Sequence, residues 1–305
     1  MRRLSLKSWG LMSLGCLGVI GIGINYRYQT VKNFEGKEPF RLAVVETGET
    51  PGRVALVSYY PQEKQVEILD VGGERWVETA KDYGRYRWGV LDQLDASEKL
   101  DGGLVTATLM KNYGLLVRDR VRLTGKVQTR SSAWVRRVFW QYSWQGKGWI
   151  AKLDAWRILL KVLDLREPEV MTVDLDKLPV WQTADALEPI WVFDPSKFDR
   201  EVSLRRFRLP QEVTVMVENG SGRDGLGEAV TRILDREGFL VIRTGTLMET
   251  EVVAVNTQVR LVKDQETDLS QKLLAQIVGG EMIQLTEEGS LAQVEIRLGP
   301  DFTQF

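Results

Sequence analysis

The 305-residue sequence contains no histidine. That absence removes every Ser-His-Asp or Cys-His machine and every zinc site that relies on imidazole. Cysteine occurs once, as Cys16, so neither an internal disulfide nor a multi-cysteine metal site can form. An excess of charge of one sign is lacking too. The chain has 41 Lys+Arg against 42 Asp+Glu, a net charge of −1, and this total points to no nucleic-acid partner. With 43% hydrophobic and 27% charged residues, the composition excludes a wholly disordered chain and a multi-span membrane protein. From these counts we expect no metal and no cofactor, and any chemistry must come from carboxylates, arginine, lysine, hydroxyls and backbone.

The neutral total conceals two unlike halves. From Pro210 onward the chain has 8 Lys+Arg and 16 Asp+Glu, which leaves 33 against 26 in the remainder. Such a change of sign suggests separate modules facing different neighbours.

Long apolar runs are scarce, with one exception at the start. Arg2, Arg3 and Lys7 precede an uncharged stretch over residues 8–24, and Arg27 follows it. Seventeen residues at 1.5 Å rise cover about 25 Å, and Lys7 and Arg27 can snorkel to complete a span. Basic residues ahead of the run keep the amino end in the cytoplasm and carry the bulk of the chain across. Apolar sequence continues past Cys16, which argues against lipid modification there. The expected organisation is a basic tail at 1–7, a single-pass anchor at 8–24 and a tether at 25–40. Then follow a mixed strand-and-helix domain at 41–165, a proline-rich connection at 166–210 and a small domain at 211–305.

Strands are predicted over 41–45, 54–60 and 65–69, the last two joined by a hairpin-length turn at Pro61. A helix is predicted over 100–112, stopping near Gly114. Residues 118–152 then hold nine basic side chains and one acid, Asp119, with tryptophans interleaved. Arg130, Arg136, Arg137, Trp134, Trp140 and Trp144 are the candidate residues for a membrane or anionic-polymer surface. The other reading makes the aromatics core and the charges a solvated face. Residues 149–165 form a predicted amphipathic helix with Leu153, Trp156, Leu160 and Leu163 at helical spacing.

Past the prolines, a strand over 213–217, a helix over 226–236 and a strand over 239–243 make a βαβ unit with parallel strands. A strand over 257–262, a helix over 268–277 and a strand over 293–298 complete a small α/β domain. The loop of the βαβ unit is Gly220-Ser221-Gly222-Arg223-Asp224-Gly225. It matches the spacing of a dinucleotide-binding loop, and Arg243 suits a 2′-phosphate. Against that reading, no ribose-binding acid lies about 20 residues on, the domain is small, and its acidic balance repels a polyanion. Asn219, Gly220, Ser221, Gly222 and Gly225 are therefore candidate binding residues for some other ligand, or simply a tight turn.

The last hundred residues resemble the C-terminal domain of LytR-type cell-envelope proteins. The resemblance rests on Val213-Thr-Val-Met-Val-Glu-Asn-Gly-Ser-Gly222, Gly225-Leu-Gly-Glu-Ala229, Leu234-Asp-Arg-Glu-Gly-Phe-Leu-Val241 and the closing Leu298-Gly-Pro-Asp301. Gly227 stands where alanine is usual. Residues 42–121 are similar to a degenerate LytR-CpsA-Psr domain, through the hairpin at 54–69 and the helix between Gly102 and Gly114. That family transfers polyprenyl-phosphate-linked glycopolymers to the wall and holds the pyrophosphate with arginines and a metal-binding acid. Here Gly72-Gly73-Glu74 stands where the family has Pro-Arg-Asp, and Gly52-Arg53-Val54 where it has an Arg-Ser-Asp turn. Arg53, Glu74 and Arg75 are thus weak remnants to which no catalysis is assigned, because phosphoryl transfer depends on its charge clamps.

The resemblance implies a mixed α/β, membrane-anchored envelope protein. It would bind wall polymer, lipid-linked precursor or a protein partner, without catalysis. The rival expectation is an active transferase using Arg53, Glu74, Arg75 and Arg85 or Arg87, and a lesser one is a dinucleotide-binding domain.

Overall fold

In the computed structural model, residues 37–305 are described apart from 49–51, 101–102, 126–129, 147, 184–190, 203, 205–206, 248–255, 263–267, 280, 286–290 and 305. The uncharged run at 8–24 lies outside the described residues. Among those residues, no helix is long and apolar enough to cross a membrane.

The first half builds β1 (Phe40–Thr47), β2 (Arg53–Tyr60), β3 (Gln65–Gly72), β4 (Trp76–Glu78), β5 (Arg85–Arg87), α1 (Leu91–Ser97) and α2 (Gly103–Tyr113). Then come β6 (Asp119–Thr124), α3 (Ser132–Gln145), α4 (Gly148–Val162), β7 (Val170–Asp174), β8 (Trp181–Thr183), β9 (Trp191–Phe193) and α5 (Pro195–Glu201). The last part comprises β10 (Thr214–Asn219), α6 (Leu226–Arg236), β11 (Leu240–Thr246), β12 (Gln258–Val262), α7 (Asp268–Val278), β13 (Glu281–Leu285) and β14 (Val294–Leu298).

Three sheets result, with strand orders β6-β1-β2-β3-β7, β11-β10-β14-β12-β13 and β5-β4-β9-β8. The first is mixed. β1, β2 and β3 pair antiparallel, while β6 joins β1 and β7 joins β3 in parallel. Its central strands are buried at nearly every position because both faces are covered. Leu42, Val44, Val57 and Ile68 meet Val138, Phe139, Ile158 and Leu159 from α3 and α4. Ala43, Val45, Leu56 and Leu69 face the other way, toward Leu104, Val105 and Leu109 of α2.

That second layer continues into the core of the second sheet, where Val215, Val217, Ile233 and Leu234 belong to the same apolar cluster. In the second sheet α6 crosses from β10 to β11, which run parallel as the sequence predicts. Leu226, Ala229, Val230, Ile233 and Leu234 are buried at helical spacing, and Glu228 sits in the first turn where the helix dipole favours an acid. Gly238 closes the helix at φ 88°, and a Cβ there would lie 2.6 Å from the carbonyl of Phe207, so glycine is required.

A buried ion pair joins the two parts. Arg41 of β1 meets Glu237, the residue after α6, and both side chains are 1% exposed. Glu237 Oε1 also accepts from the backbone N–H of Leu116 at 3.2 Å. Arg232 donates to the carbonyl of Lys111 at 2.8 Å across the same seam.

Candidate functional site

The loop between β10 and α6 is held by its own hydrogen bonds. Asn219 Oδ1 accepts from the backbone and hydroxyl of Ser221 at 3.1 and 2.6 Å, and its amide donates to the carbonyl of Arg223 at 2.9 Å. Ser221 Oγ in turn accepts from the backbone N–H of Arg223 at 3.1 Å. This is an Asx-type turn that fixes the entry to α6. Gly222 and Gly225 both adopt φ 72°, where a side chain would be strained. Gly227 lies on the inner side of the helix, and a Cβ there would come within 3.3 Å of the Asn219 side chain. Arg223 reaches away from the loop to the carbonyl of Phe302, at 2.6 Å.

The carboxyl side of this loop walls a cleft of ≈ 870 Å³. Glu78 and Arg85 from β4 and β5, Lys111 and Asn112 from α2, and Phe193 from β9 form the opposite side. Five cations (Lys81, Arg85, Lys111, Arg223, Arg232) and six carboxylates (Glu78, Asp82, Asp194, Asp199, Asp224, Glu228) line it, so its electrostatics are mixed. Burial alone would raise the Asp194 carboxyl, but hydrogen bonds from Ser196 and Lys197 at the start of α5 hold it below the ordinary value. Burial lowers the Arg232 guanidinium, and nearby Asp199 only partly offsets this. Among the candidate binding residues, Gly225 lines the cleft; Arg85 is the member of the rival catalytic set that does so.

The remaining remnants are held in separate ion pairs. Arg53 pairs with Asp70 at 3.2 Å, Arg75 with Asp176 at 3.0 Å, and Glu74 with Arg87 at 3.3 Å. Arg75 also lies over the ring of Trp181, 5.3 Å from its centroid, and Arg87 over Trp76 at 5.5 Å. Asp70 also belongs to one of two larger arginine–carboxylate networks on the first sheet. Arg130 binds Glu46 and Asp70, and Trp134 donates to Glu46 at 3.0 Å. Arg120 bridges Asp92 and Asp95, and Arg122 donates to Asp92 at 2.9 Å. Sequence reasoning missed these partners because most of them lie tens of residues away along the chain. Among the described residues, no group of three or more acidic or cysteine side chains is placed to hold a metal ion.

The basic, tryptophan-bearing segment divides in two. Its first part turns inward: Trp134 is buried and Arg130 is locked in its carboxylate pairs. Its second part turns outward, with Trp140 49% and Trp144 63% exposed. Arg136 donates to the carbonyl of Leu165 and Arg137 to that of Thr124.

Comparison with known proteins gives a family for the last part of the chain. Residues 212–302 match the family model described as LytR cell envelope-related transcriptional attenuator. The resemblance seen in the Asn-Gly-Ser-Gly loop, the Gly-Phe strand and the closing Leu-Gly-Pro-Asp therefore holds. No curated protein matches the chain. Similar solved structures include Bacillus subtilis TagT, 11% identical over 54% of this chain and 88% of that one, with a TM-score of 0.36. Another is Bacillus subtilis TagV, 7% identical over 54% of this chain and 94% of that one, with a TM-score of 0.37. A third is the LytR-CPS2A-psr family protein YwtF (TagT) with bound octaprenyl pyrophosphate lipid, 11% identical, covering 54% and 88%, with a TM-score of 0.31.

Proposed function

We propose that this chain is a membrane-tethered envelope protein that binds an envelope component and does not transfer glycopolymer. The cell-envelope assignment draws on the family match at 212–302. The tether draws on the uncharged run at 8–24 behind Arg2, Arg3 and Lys7, which sets the bulk of the chain beyond the cytosol. One observation carries the non-catalytic reading: Arg53, Glu74 and Arg75 are each spent on a different intramolecular partner. Phosphoryl transfer from a pyrophosphate needs several cations preorganised on one point, and Arg53 and Arg75 sit on different carboxylates, Asp70 and Asp176. The cleft beside Gly225 is the proposed place for the bound component, whether wall polymer, lipid-linked precursor or protein.

The test uses the full chain in detergent micelles with a polyprenyl-pyrophosphate-linked glycan and magnesium. No transfer and no release of polyprenyl phosphate is expected. Turnover that Arg53→Ala abolishes would overturn the proposal in favour of the rival transferase. A reporter fused after Phe305 is expected outside the cytosol, and cytosolic signal would remove the envelope setting altogether.

A further inference from the structure

Helix α4 is apolar on two sides, and the first sheet uses only one of them. Ala155, Ile158, Leu159 and Val162 are buried against the sheet layer. On another side Leu160, and Leu163 one residue past the helix end, are 63% and 49% exposed, with half-buried Trp156 one turn before Leu160. Helix α3 continues this outer side. Trp140 and Trp144 are one turn apart, with ring centroids separated by 6.2 Å, and Trp140 meets Trp156 edge-on at 5.4 Å. The two helices therefore share an exposed apolar strip of Trp140, Trp144, Leu160 and Leu163, with half-buried Trp156 packed on Trp140. A strip this apolar on a water-facing surface marks a contact site.

We propose that this strip lies in the interface of an anionic lipid bilayer. Tryptophan favours the boundary between head groups and acyl chains, where its ring is sheltered and its N–H stays polar. The charges around the strip have the matching sign. Arg137, Lys152, Arg157 and Lys161 are exposed on these two helices; of the nearby acids Asp154 is buried and Asp164, just past α4, is exposed, so the balance around the strip stays basic. The path of the chain supplies an independent argument. Phe40, near the start of the described residues, packs on Phe139 and Tyr142 of α3 with ring centroids 6.2 and 5.8 Å away. Phe139 adjoins Trp140 in sequence, and Tyr142 lies between the two exposed tryptophans. The chain thus leaves this domain beneath the very helix that displays Trp140 and Trp144. Residues 25–36 separate it from the uncharged run and span at most about 40 Å when extended. A tethered domain would meet the bilayer with this strip, and the inference rests on the proposed tether for its orientation.

The experiment uses the full chain carrying Cys16→Ser, with one new cysteine labelled by an environment-sensitive fluorophore. Trp144→Cys and Leu160→Cys place the label on the strip, and both side chains are exposed enough that folding is not at stake. Leu291→Cys, at a side chain 89% exposed, is the reference. In phosphatidylglycerol-containing vesicles both strip labels should shift to the blue, lose quenching by aqueous iodide and gain quenching by nitroxide lipids. The reference label should stay quenched by iodide. Raised salt should weaken the strip signal, because the basic rim is screened.

Strip labels quenched by iodide as strongly as the reference would overturn the proposal. So would shielding that disappears as protein is diluted in excess lipid, which would assign the strip to a second copy of the chain. An alkaline carbonate wash separates the two readings. Wash-out of a chain whose strip label was shielded beforehand removes the tether and leaves the strip, whereas retention with a water-exposed label does the reverse.

Discussion

The two large sheets bury charge in opposite ways. Around the first, Glu46, Asp70, Asp92 and Asp95 are buried and each is bound by arginine. Within the second, the buried polar groups are Asn219, Thr257 and Ser270, and the buried ions Arg236 and Glu237 stand at the end of α6 where it meets the first part. The difference lies in how arginine is used. Before Pro210 several arginines neutralise carboxylates buried in the same part, whereas the buried Glu237 after it takes its arginine, Arg41, from the first part. It also indicates where the molecule is fragile. A complete buried ion pair contributes little net stability, but removing one partner strands the other at a cost of about 3–5 kcal/mol.

The strongest way to break this contrast is at the seam. Glu237→Ala strands the Arg41 guanidinium, 1% exposed, together with the backbone N–H of Leu116. A loss of about 3–5 kcal/mol is expected in denaturant unfolding. The paired change Arg41→Met with Glu237→Leu should recover most of it, as removal of both charges together leaves no orphan. A loss for Glu237→Ala below about 1 kcal/mol would mean that the seam does not couple the two parts.

Next in size is the network on the first sheet. Arg130→Ala leaves Glu46 and Asp70 buried without their shared cation, and Arg53 supports Asp70 from only one side. The expected cost is about 2–4 kcal/mol. Trp134→Ala removes a buried ring and its N–H bond to Glu46, so it should cost about 3–5 kcal/mol. An equal Arg→Ala change at Arg297, which pairs with Glu218 on the second sheet while 29% exposed, should stay below about 1 kcal/mol. Thermal unfolding of the three variants side by side would show whether buried charge belongs to one sheet alone.

The same contrast accounts for what the sequence disclosed. In the second sheet the signals are local. Gly225 and Gly238 bracket the apolar positions of α6, and the predicted span 226–236 matches Leu226–Arg236. Strands β12 and β14 and helix α7 fall within a residue of prediction, although β13 was not foreseen. In the first sheet the predicted strands 41–45, 54–60 and 65–69 fall inside β1, β2 and β3, and the signal is masked only at β6 and α3 beside them. Arg120-Val121-Arg122-Leu123 alternates as a strand should, yet its arginines suggested a surface patch, and β6 went unread. Helix α3 was hidden in the same way by Arg136 and Arg137, despite Ser131 capping it through a bond from the Trp134 N–H. The three-residue strands β4, β5, β8 and β9 are too short to show any period. The candidate residues Arg53, Glu74 and Arg75 were visible as residue types, but their neutralising partners were not, since Arg75 meets Asp176 across 101 positions.

A titration sharpens the comparison at intermediate size. Asp154 of α4 is buried, which pushes its carboxyl up to about 6 against the pull of Arg157, Arg118 and Lys272, while Glu38 adds to the rise. The folded state therefore holds this proton more tightly than the unfolded chain does. Stability should be greatest, for this group, below about pH 4 and should fall as pH rises through about 6. Asp154→Asn keeps the shape and removes the ionisation. It should flatten that part of the stability profile and gain on the order of 1–3 kcal/mol at neutral pH. Unchanged pH dependence in the variant would show that Asp154 ionises in the fold without penalty.

The smallest expected effect on stability comes from the same helix that carries one of the largest. Trp144 follows Trp134 by ten residues on α3, yet 63% of it meets solvent and it packs chiefly on Trp140. Truncation of a ring that folding leaves exposed removes little buried area, so Trp144→Ser should change unfolding by about 0.5 kcal/mol or less. Set beside the loss at Trp134, this separates the tryptophans that build the domain from those it displays. A cost at Trp144 comparable to that at Trp134 would mean that the outer strip is part of the core and is not free to meet a bilayer.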